Sequence, residues 1–195
     1  MCHIEKEIWI HDEYRYALGN IGRKTLVYIG SNPSTATAEV DDNTYTFLRT
    51  WCNTNNYNGL ILLNLYPQVL TMEQRENQIF NRGSFFTVAG SLEKKNFEII
   101  DNTIRDVDKK SVDFDVLLAW GDKVLQREFY YAYIIELMNI LQKYNVQNLF
   151  HIGITSNKQP RAPIPFEKHT SLQPFTQENL RACLDISNSY RMLDE

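Results

Sequence analysis

The chain has 195 residues, 43% of them hydrophobic, and is long and apolar enough to fold as a single α/β domain, residues 1–195, around a substantial core. Its net charge of −4 disfavours a protein that binds nucleic acid through bulk phosphate attraction. The three widely spaced cysteines, Cys2, Cys52 and Cys183, are typical of reduced thiols. No apolar run reaches the length of a membrane span and no signal-peptide pattern occurs, so we expect a cytoplasmic protein without a membrane partner.

Along the chain, short continuous apolar runs alternate with longer stretches whose apolar residues are spaced three or four apart. The runs at 24–30, 59–67, 114–121 and 148–155 predict buried strands, and the periodic stretches at 42–56, 70–80, 91–108, 126–145 and 177–188 predict helices. This alternation predicts a three-layer α/β/α fold with a central, mostly parallel sheet of about four strands. Ligands of such sheets bind outside the carboxyl ends of the strands.

Small polar residues follow the first predicted strand, where Asn32, Ser34 and Thr35 lie in one short stretch. Two interpretations are open. The stretch is a well-made turn between strand and helix, or it is a polar pocket in which Ser34 and Thr35 contact a ligand and Asn32 places a water or reads a base edge.

A pair of carboxylates, Asp41 and Asp42, comes directly before the first predicted helix. One interpretation makes them caps of that helix, and the other makes them catalytic residues. Arg49, within the helix, either reaches back to the strand ends as a ligand-binding residue or forms a surface ion pair.

The later strand ends carry further ligand-binding candidates. Asn64 either reads a ligand or bonds neighbouring backbone, and Tyr66 stacks on a planar ligand in the first of these cases. Trp120 either walls a pocket or packs in the core, while Gly121 permits close backbone approach. Arg161 is the basic candidate after the fourth strand, with solvated surface as the alternative.

Several motifs that hold cofactors or metals are missing from the sequence. It contains no P-loop, GxGxxG or GxSxG motif, and neither CxxC nor HxxxH spacing. We therefore expect no cofactor and no metal site. His151, inside the fourth predicted strand, is expected to be a packed core histidine.

Six motifs occur in a fixed order: YRYAL at 14–18, SNPSTA at 31–36, DDNT at 41–44, NLYP at 64–67, AWG at 119–121 and GITSNKQPRAP at 153–163. As a set they resemble the bacterial and archaeal family of unknown function numbered 1643, over about residues 14–165, which leaves 166–195 as a C-terminal tail. The resemblance implies proline where this chain has Asn43 and histidine where it has Ala162. If that histidine is catalytic, this protein lacks it, or His169 would have to replace it.

A more distant resemblance is to the uracil-DNA glycosylase superfamily, through GSNPS at 30–34 and ILLNLYP at 61–67. It implies that Asn32 positions an attacking water, that Asn64 reads a base and that Tyr66 stacks on it. The implied function is an N-glycosidase-like hydrolase acting on a base in DNA or in a nucleotide, so its partner would be a nucleobase, nucleotide or DNA. The alternatives are a non-catalytic nucleotide or nucleic-acid binding module and an unrelated α/β hydrolytic enzyme using Asp41 and Asp42.

Overall fold

The computed structural model describes residues 7–11, 14–36, 40–69, 89–126, 129–162 and 170–191. Within these ranges the strands are β1 (Glu7–His11), β2 (Tyr14–Asn20), β3 (Lys24–Gly30), β4 (Gly59–Asn64), β5 (Asp113–Leu118), β6 (Leu149–His151) and β7 (Gln173–Pro174). The α-helices are α1 (Asn43–Thr54), α2 (Ala89–Lys110), α3 (Tyr130–Lys143) and α4 (Gln177–Arg191), and a 3-10 helix covers Asp122–Gln126. The protein is therefore a mixed α/β fold.

The seven strands form one sheet in the order β1-β2-β4-β3-β5-β6-β7. Its four central strands are parallel, and β1, β2 and β7 add antiparallel pairings at the two sides. The prediction of about four strands is therefore wrong by three. It found the parallel strands because they are continuous apolar runs. It missed β1 and β2, which mix charged and apolar residues, and β7, which is two residues long.

The predicted elements that fall inside the described ranges are confirmed. The last three predicted strands are shorter than their apolar runs, because the chain leaves the sheet at Asn64, Leu118 and His151. Four predicted helices are present, with boundaries that differ by a few residues. The helix predicted at 70–80 lies outside the described residues.

Apolar side chains cover both faces of the sheet, as the continuous apolar strands require. On one face, Leu48 and Trp51 of α1 pack with Leu26 of β3. On the other face, residues of α2, α3 and α4 pack against the alternate positions of the strands, such as Val27 and Ile29. This gives the three layers that the sequence predicts.

The four parallel strands stand in the spatial order β4-β3-β5-β6. The chain crosses from β3 to a neighbour on one side, and then returns to place β5 on the other side of β3. The order of the sheet therefore reverses between β3 and β5, which is where open α/β sheets bind ligands outside the carboxyl ends of their strands. The segments at this point are the loop 31–36 after β3 and residues 119–121 after β5.

Candidate functional site

Backbone hydrogen bonds join the end of β3 and Ser31, the first residue of the loop 31–36, to neighbouring segments. Leu65 donates to the carbonyl of Gly30 (3.0 Å) and Tyr66 donates to that of Ser31 (2.9 Å), so the segment after β4 continues alongside the loop. On the other side, the backbone of Ala119 donates to the carbonyl of Ile29 (2.9 Å). The loop thus begins from a rigid, fully paired strand.

A buried arginine from β2 holds the middle of the loop. Arg15 is 1% exposed, and its Nη1 donates to the carbonyl oxygens of Ser34 (3.1 Å) and Ala36 (2.7 Å). Hydrogen bonds from a charged donor are stronger than neutral ones, and their strength increases in a buried setting. Arg15 therefore fixes the loop from beneath, and its charge also lies close enough to Asp42 to favour the ionised carboxylate.

Asp42 is the N-cap of α1. Its Oδ1 accepts from the backbone of Tyr45 (2.8 Å) and its Oδ2 from the backbone of Ala36 (3.0 Å). Burial alone would raise the pKa of this carboxyl group. Hydrogen bonds from the two backbone N–H groups, with the charge of Arg15, outweigh burial and lower the pKa below its usual value. Both polar groups of the Ala36 backbone are thus bound by charged side chains, the N–H by Asp42 and the carbonyl by Arg15.

This arrangement predicts an acid-sensitive contribution to stability. Because the folded state lowers the pKa of Asp42, the contribution is fully present above the unfolded value of about 3.9 and is lost as the pH falls through the lower folded value. Asp42→Asn keeps a good N-cap but cannot ionise, so its stability should fall less steeply than that of the wild type between pH 5 and 2 in urea denaturation. The exposed Asp108→Asn is the control, and parallel profiles for Asp42→Asn and wild type would contradict the prediction.

The polar side chains of the loop differ in accessibility, and the Ser34 hydroxyl is enclosed. The Asn32 side chain accepts from the Ser31 hydroxyl through Oδ1 (3.1 Å), and its Nδ2 donates weakly to the carbonyl of Gln68 (3.3 Å). Asn32 and Ser34 are half-buried, and Thr35 is exposed. These three predicted residues share one short loop at the reversal point of the sheet.

The side chains of Asn64 and Tyr66 are buried and have partners within the protein. Asn64 is 2% exposed; with its amide oriented so that the nitrogen faces acceptors, Nδ2 donates to the carbonyls of Asn32 (2.9 Å) and Leu63 (3.3 Å). The ring of Tyr66 is buried and packs against Tyr133, with 5.1 Å between ring centroids. Of the two interpretations of Asn64, the geometry favours the one in which it bonds neighbouring backbone.

The candidates after β5 belong to a second group of contacts, centred on Gln159. Trp120 is 1% exposed and donates from Nε1 to Gln159 Oε1 (3.0 Å), which favours the core interpretation of this residue. Gly121 is also buried; its N–H donates to the carbonyl of Pro160 (2.8 Å), and a Cβ on it would lie 3.1 Å from Ala162.

Arg161, the basic candidate, is exposed, and its backbone N–H donates to the carbonyl of Gly153. His169 lies outside the described residues.

Arg49 does not turn towards the strand ends. Its Nη1 lies 3.0 Å from Asp41 Oδ2, in an ion pair whose side chains are 43% and 24% exposed. This is the surface ion pair that was the alternative for Arg49, and such pairs contribute little to stability. Asp41 and Asp42 thus have different structural partners.

Two residues at this edge were not predicted. Arg15 holds the loop but gave no signal except its place in the YRYAL motif, because its role depends on carbonyls 19 and 21 residues away. Asp122, after β5, accepts from Thr155 Oγ1 (2.5 Å) and Asn157 Nδ2 (3.2 Å), and so ties the 155–159 turn to the end of that strand.

The two buried thiols and His151 favour their neutral forms. Cys52 and Cys183 are buried, and burial raises the pKa of each thiol to about 12, so neither is a ready nucleophile. Burial likewise lowers the pKa of His151, which is 5% exposed and accepts a hydrogen bond from Gly153 (2.9 Å), so its prediction as a core histidine is confirmed. In the described part of the chain, no three His, Cys, Asp or Glu side chains gather to hold a metal ion.

A family model described as "Protein of unknown function (DUF1643)" matches residues 15–164. The chain belongs to this family. The match begins at Arg15 and contains the whole loop 31–36 and the segments after β4 and β5. No curated protein and no solved structure gave a significant match. Of the helices that the structure describes, none is both long and apolar enough to cross a membrane.

Proposed function

We propose that this family member binds a nucleobase or nucleotide at the loop 31–36 and acts on it as an N-glycosidase-like hydrolase. The observation that carries the proposal is the position of this loop. It follows the central strand at the reversal point of the sheet, and its backbone is held by Arg15 and Asp42 while Asn32 is half-buried and Thr35 is exposed. A rigid backbone carrying accessible polar side chains is what precise ligand placement requires.

The reaction would be hydrolysis of the bond between a base and its sugar. A water oxygen bonds to the anomeric carbon, the carbon–nitrogen bond breaks, and the base leaves with the electron pair and takes up a proton. Positive charge develops on the sugar in the transition state, and fixed polar groups close to it lower the barrier. Asn32 can orient the water through its amide but cannot remove a proton from it. Its contribution would therefore be placement.

The resemblance to uracil-DNA glycosylases supports the proposal at Asn32, in a GSNPS turn after the first parallel strand. It is weaker for Asn64 and Tyr66, whose side chains have interior partners. The net charge of −4 favours a small ligand over a DNA duplex. The alternative of an unrelated hydrolytic enzyme with Asp41 and Asp42 as its catalytic pair gains no support. Asp42 caps α1, and Asp41 forms an ion pair with Arg49.

A second candidate is a binding module that recognises the same ligand without turnover. It is favoured by Ala162, which stands where the family resemblance implies histidine and lies against Gly121. Without a donor at that position, the leaving base would lack the group that neutralises it. Release of free base separates the two candidates.

The test compares wild type with Asn32→Ala and with the matched control Asn102→Ala, an exposed position on α2. Free nucleobases, nucleosides, nucleotides and uracil-containing DNA are added, binding is followed by thermal shift and free base by mass spectrometry. If Asn32 places the water, its loss should reduce base release by about 100-fold while the control keeps wild-type activity. Thermal shifts without release would favour the binding module, and neither signal in the wild type would overturn the proposal.

A further inference from the structure

The side chain of Tyr28 extends along β3 to the carboxyl edge of the sheet. A Cβ placed on Gly30 would lie 2.8 Å from Tyr28 Oη, 2.9 Å from Tyr28 Cε1 and 3.0 Å from a terminal amide atom of Asn64. The hydroxyl thus takes up the space in which any larger residue at position 30 would carry its side chain. Glycine is required at the end of this strand because Tyr28 approaches its backbone so closely.

This position places the Tyr28 hydroxyl at the base of the loop 31–36. Gly30 is the residue directly before the loop, and it pairs with Asn64 in the parallel register of β3 and β4. The Asn64 amide nitrogen in turn donates to the carbonyl of Asn32 (2.9 Å). The hydroxyl, the amide that holds Asn32 and the first turn of the loop therefore lie together.

The environment of Tyr28 keeps its hydroxyl protonated. Burial raises the pKa of Tyr28 well above its ordinary value. Of the two nearby charges that hold the loop, Arg15 lowers this pKa and Asp42 raises it, and neither reverses the effect of burial. At neutral pH the group is therefore a hydrogen-bond donor and not a base.

The Tyr28 hydroxyl stands within reach of a ligand at the loop. Tyr28 is 6% exposed, and its position at the end of the central strand is the reversal point where such sheets bind ligands. It differs in this respect from four tyrosines whose hydroxyls the fold encloses completely: Tyr16, Tyr45, Tyr130 and Tyr133. A ligand held by the loop 31–36 thus has a neutral O–H donor beside it.

We propose that Tyr28 is a catalytic residue of the hydrolase and donates a hydrogen bond from its hydroxyl to the base as the base leaves. The inference rests on the proposed function and adds to it the group that stabilises the departing base. It supplies the donor that Ala162 cannot provide. Asn32 and Tyr28 then act at the two ends of the reaction, one on the attacking water and the other on the leaving group.

The hydrogen bond leaves the balance of the reaction unchanged. The water oxygen bonds to the anomeric carbon, the electron pair of the broken carbon–nitrogen bond goes to the base, and the proton that the water loses ends on the base. Tyr28 keeps its own proton throughout. It lowers the barrier because it binds the negative charge that develops on the base in the transition state.

The test replaces Tyr28 with Phe, which removes the hydroxyl and keeps the ring. Tyr144→Phe, a half-buried position at the end of α3, is the matched control. Release of free base is measured with ribonucleosides, deoxyribonucleosides and uracil-containing DNA, and the melting temperature is recorded without ligand. In Tyr28→Phe only, kcat should fall about 100-fold with little change in KM, because the donor acts on charge that exists only in the transition state.

Nitrophenyl glycosides of the same sugars separate a catalytic role from a structural one. Nitrophenolate is stable as an anion and needs no donor, so Tyr28→Phe should hydrolyse these probes at nearly the wild-type rate. Gly30→Ala keeps the hydroxyl but displaces it, since the new Cβ would lie 2.8 Å from Tyr28 Oη. This second variant should therefore show the same selective loss with nucleosides.

Two sets of results would overturn the role of Tyr28. Unchanged kcat in Tyr28→Phe, or an equal loss with nucleosides and nitrophenyl glycosides, would show that the hydroxyl does not act on the leaving base, while the proposed hydrolase would stand. If the wild type releases no base from any of these substrates, with or without a thermal shift, the hydrolase fails and this inference fails with it.

Discussion

Replacing Arg15 with methionine is expected to lower the free energy of unfolding by about 3–5 kcal/mol, because a buried charged donor leaves its partners unsatisfied. The carbonyls of Ser34 and Ala36 lose their charge-assisted hydrogen bonds, and the Asp42 carboxylate loses a nearby positive charge. Methionine fills much of the volume, so the loss reports mainly the polar contacts. The free energy of unfolding of Arg15→Lys should lie between those of wild type and Arg15→Met, since lysine keeps the positive charge but lacks the planar guanidinium group.

The measurement is urea denaturation, with Arg23→Met as control, because the Arg23 side chain is exposed in the turn before β3. Surface substitutions of this kind usually change stability by less than about 0.5 kcal/mol. In folded Arg15→Met, NMR titration should also show a higher pKa for Asp42 than in wild type. If Arg15→Met proves as stable as Arg23→Met, the loop is not held by the arginine.

The second large effect is expected at Gly19, near the end of β2. Its φ is +132°, and a Cβ placed on it would lie 1.9 Å from the carbonyl oxygen of Leu60 in the paired strand β4. Alanine at this position must therefore both adopt a strained backbone and push β2 away from β4. We expect Gly19→Ala to lower the free energy of unfolding by about 3–5 kcal/mol, the sum of backbone strain and overpacking.

Gly153 provides a control that separates these two causes. Its φ is +151°, but a Cβ there would meet only the Arg161 side chain, at 3.9 Å or more. Gly153→Ala should therefore show the strain alone, about 1–3 kcal/mol. Equal losses in the two variants would mean that contact with Leu60 is unimportant. Both are measured by denaturant unfolding under the same conditions.

The parallel part of the sheet could be predicted because its strands are buried on both faces. A strand such as β4 then consists almost wholly of apolar residues, GLILLN, and is visible in the sequence without knowledge of its neighbours. The strand β2, YRYALGN, carries Arg15 among apolar residues and so breaks that pattern. The arginine is acceptable there because groups from distant segments, among them two carbonyls of the loop 31–36, bond to it.

The sequence placed the candidate residues at the carboxyl edge of the sheet and left several of their roles open between two interpretations. Local patterns offered Asp41 and Asp42 as caps of the first helix, since a cap depends on residues within one turn, and in the structure Asp42 has that role. They could not decide between the two interpretations of Asn64, because its partners include a carbonyl 32 residues earlier in the chain.

The sequence by itself determined the class of fold, the apolar strands, most of the helices and the polar loop after the first parallel strand, because each depends on the local order of side chains. Tertiary structure decided the strand order, the reversal point between β3 and β5, and the brace of Arg15 and Asp42 on Ala36. These depend on contacts between distant segments, where burial makes a charge acceptable only beside its partners. The same burial makes Asn64 a structural residue, because its amide bonds neighbouring backbone.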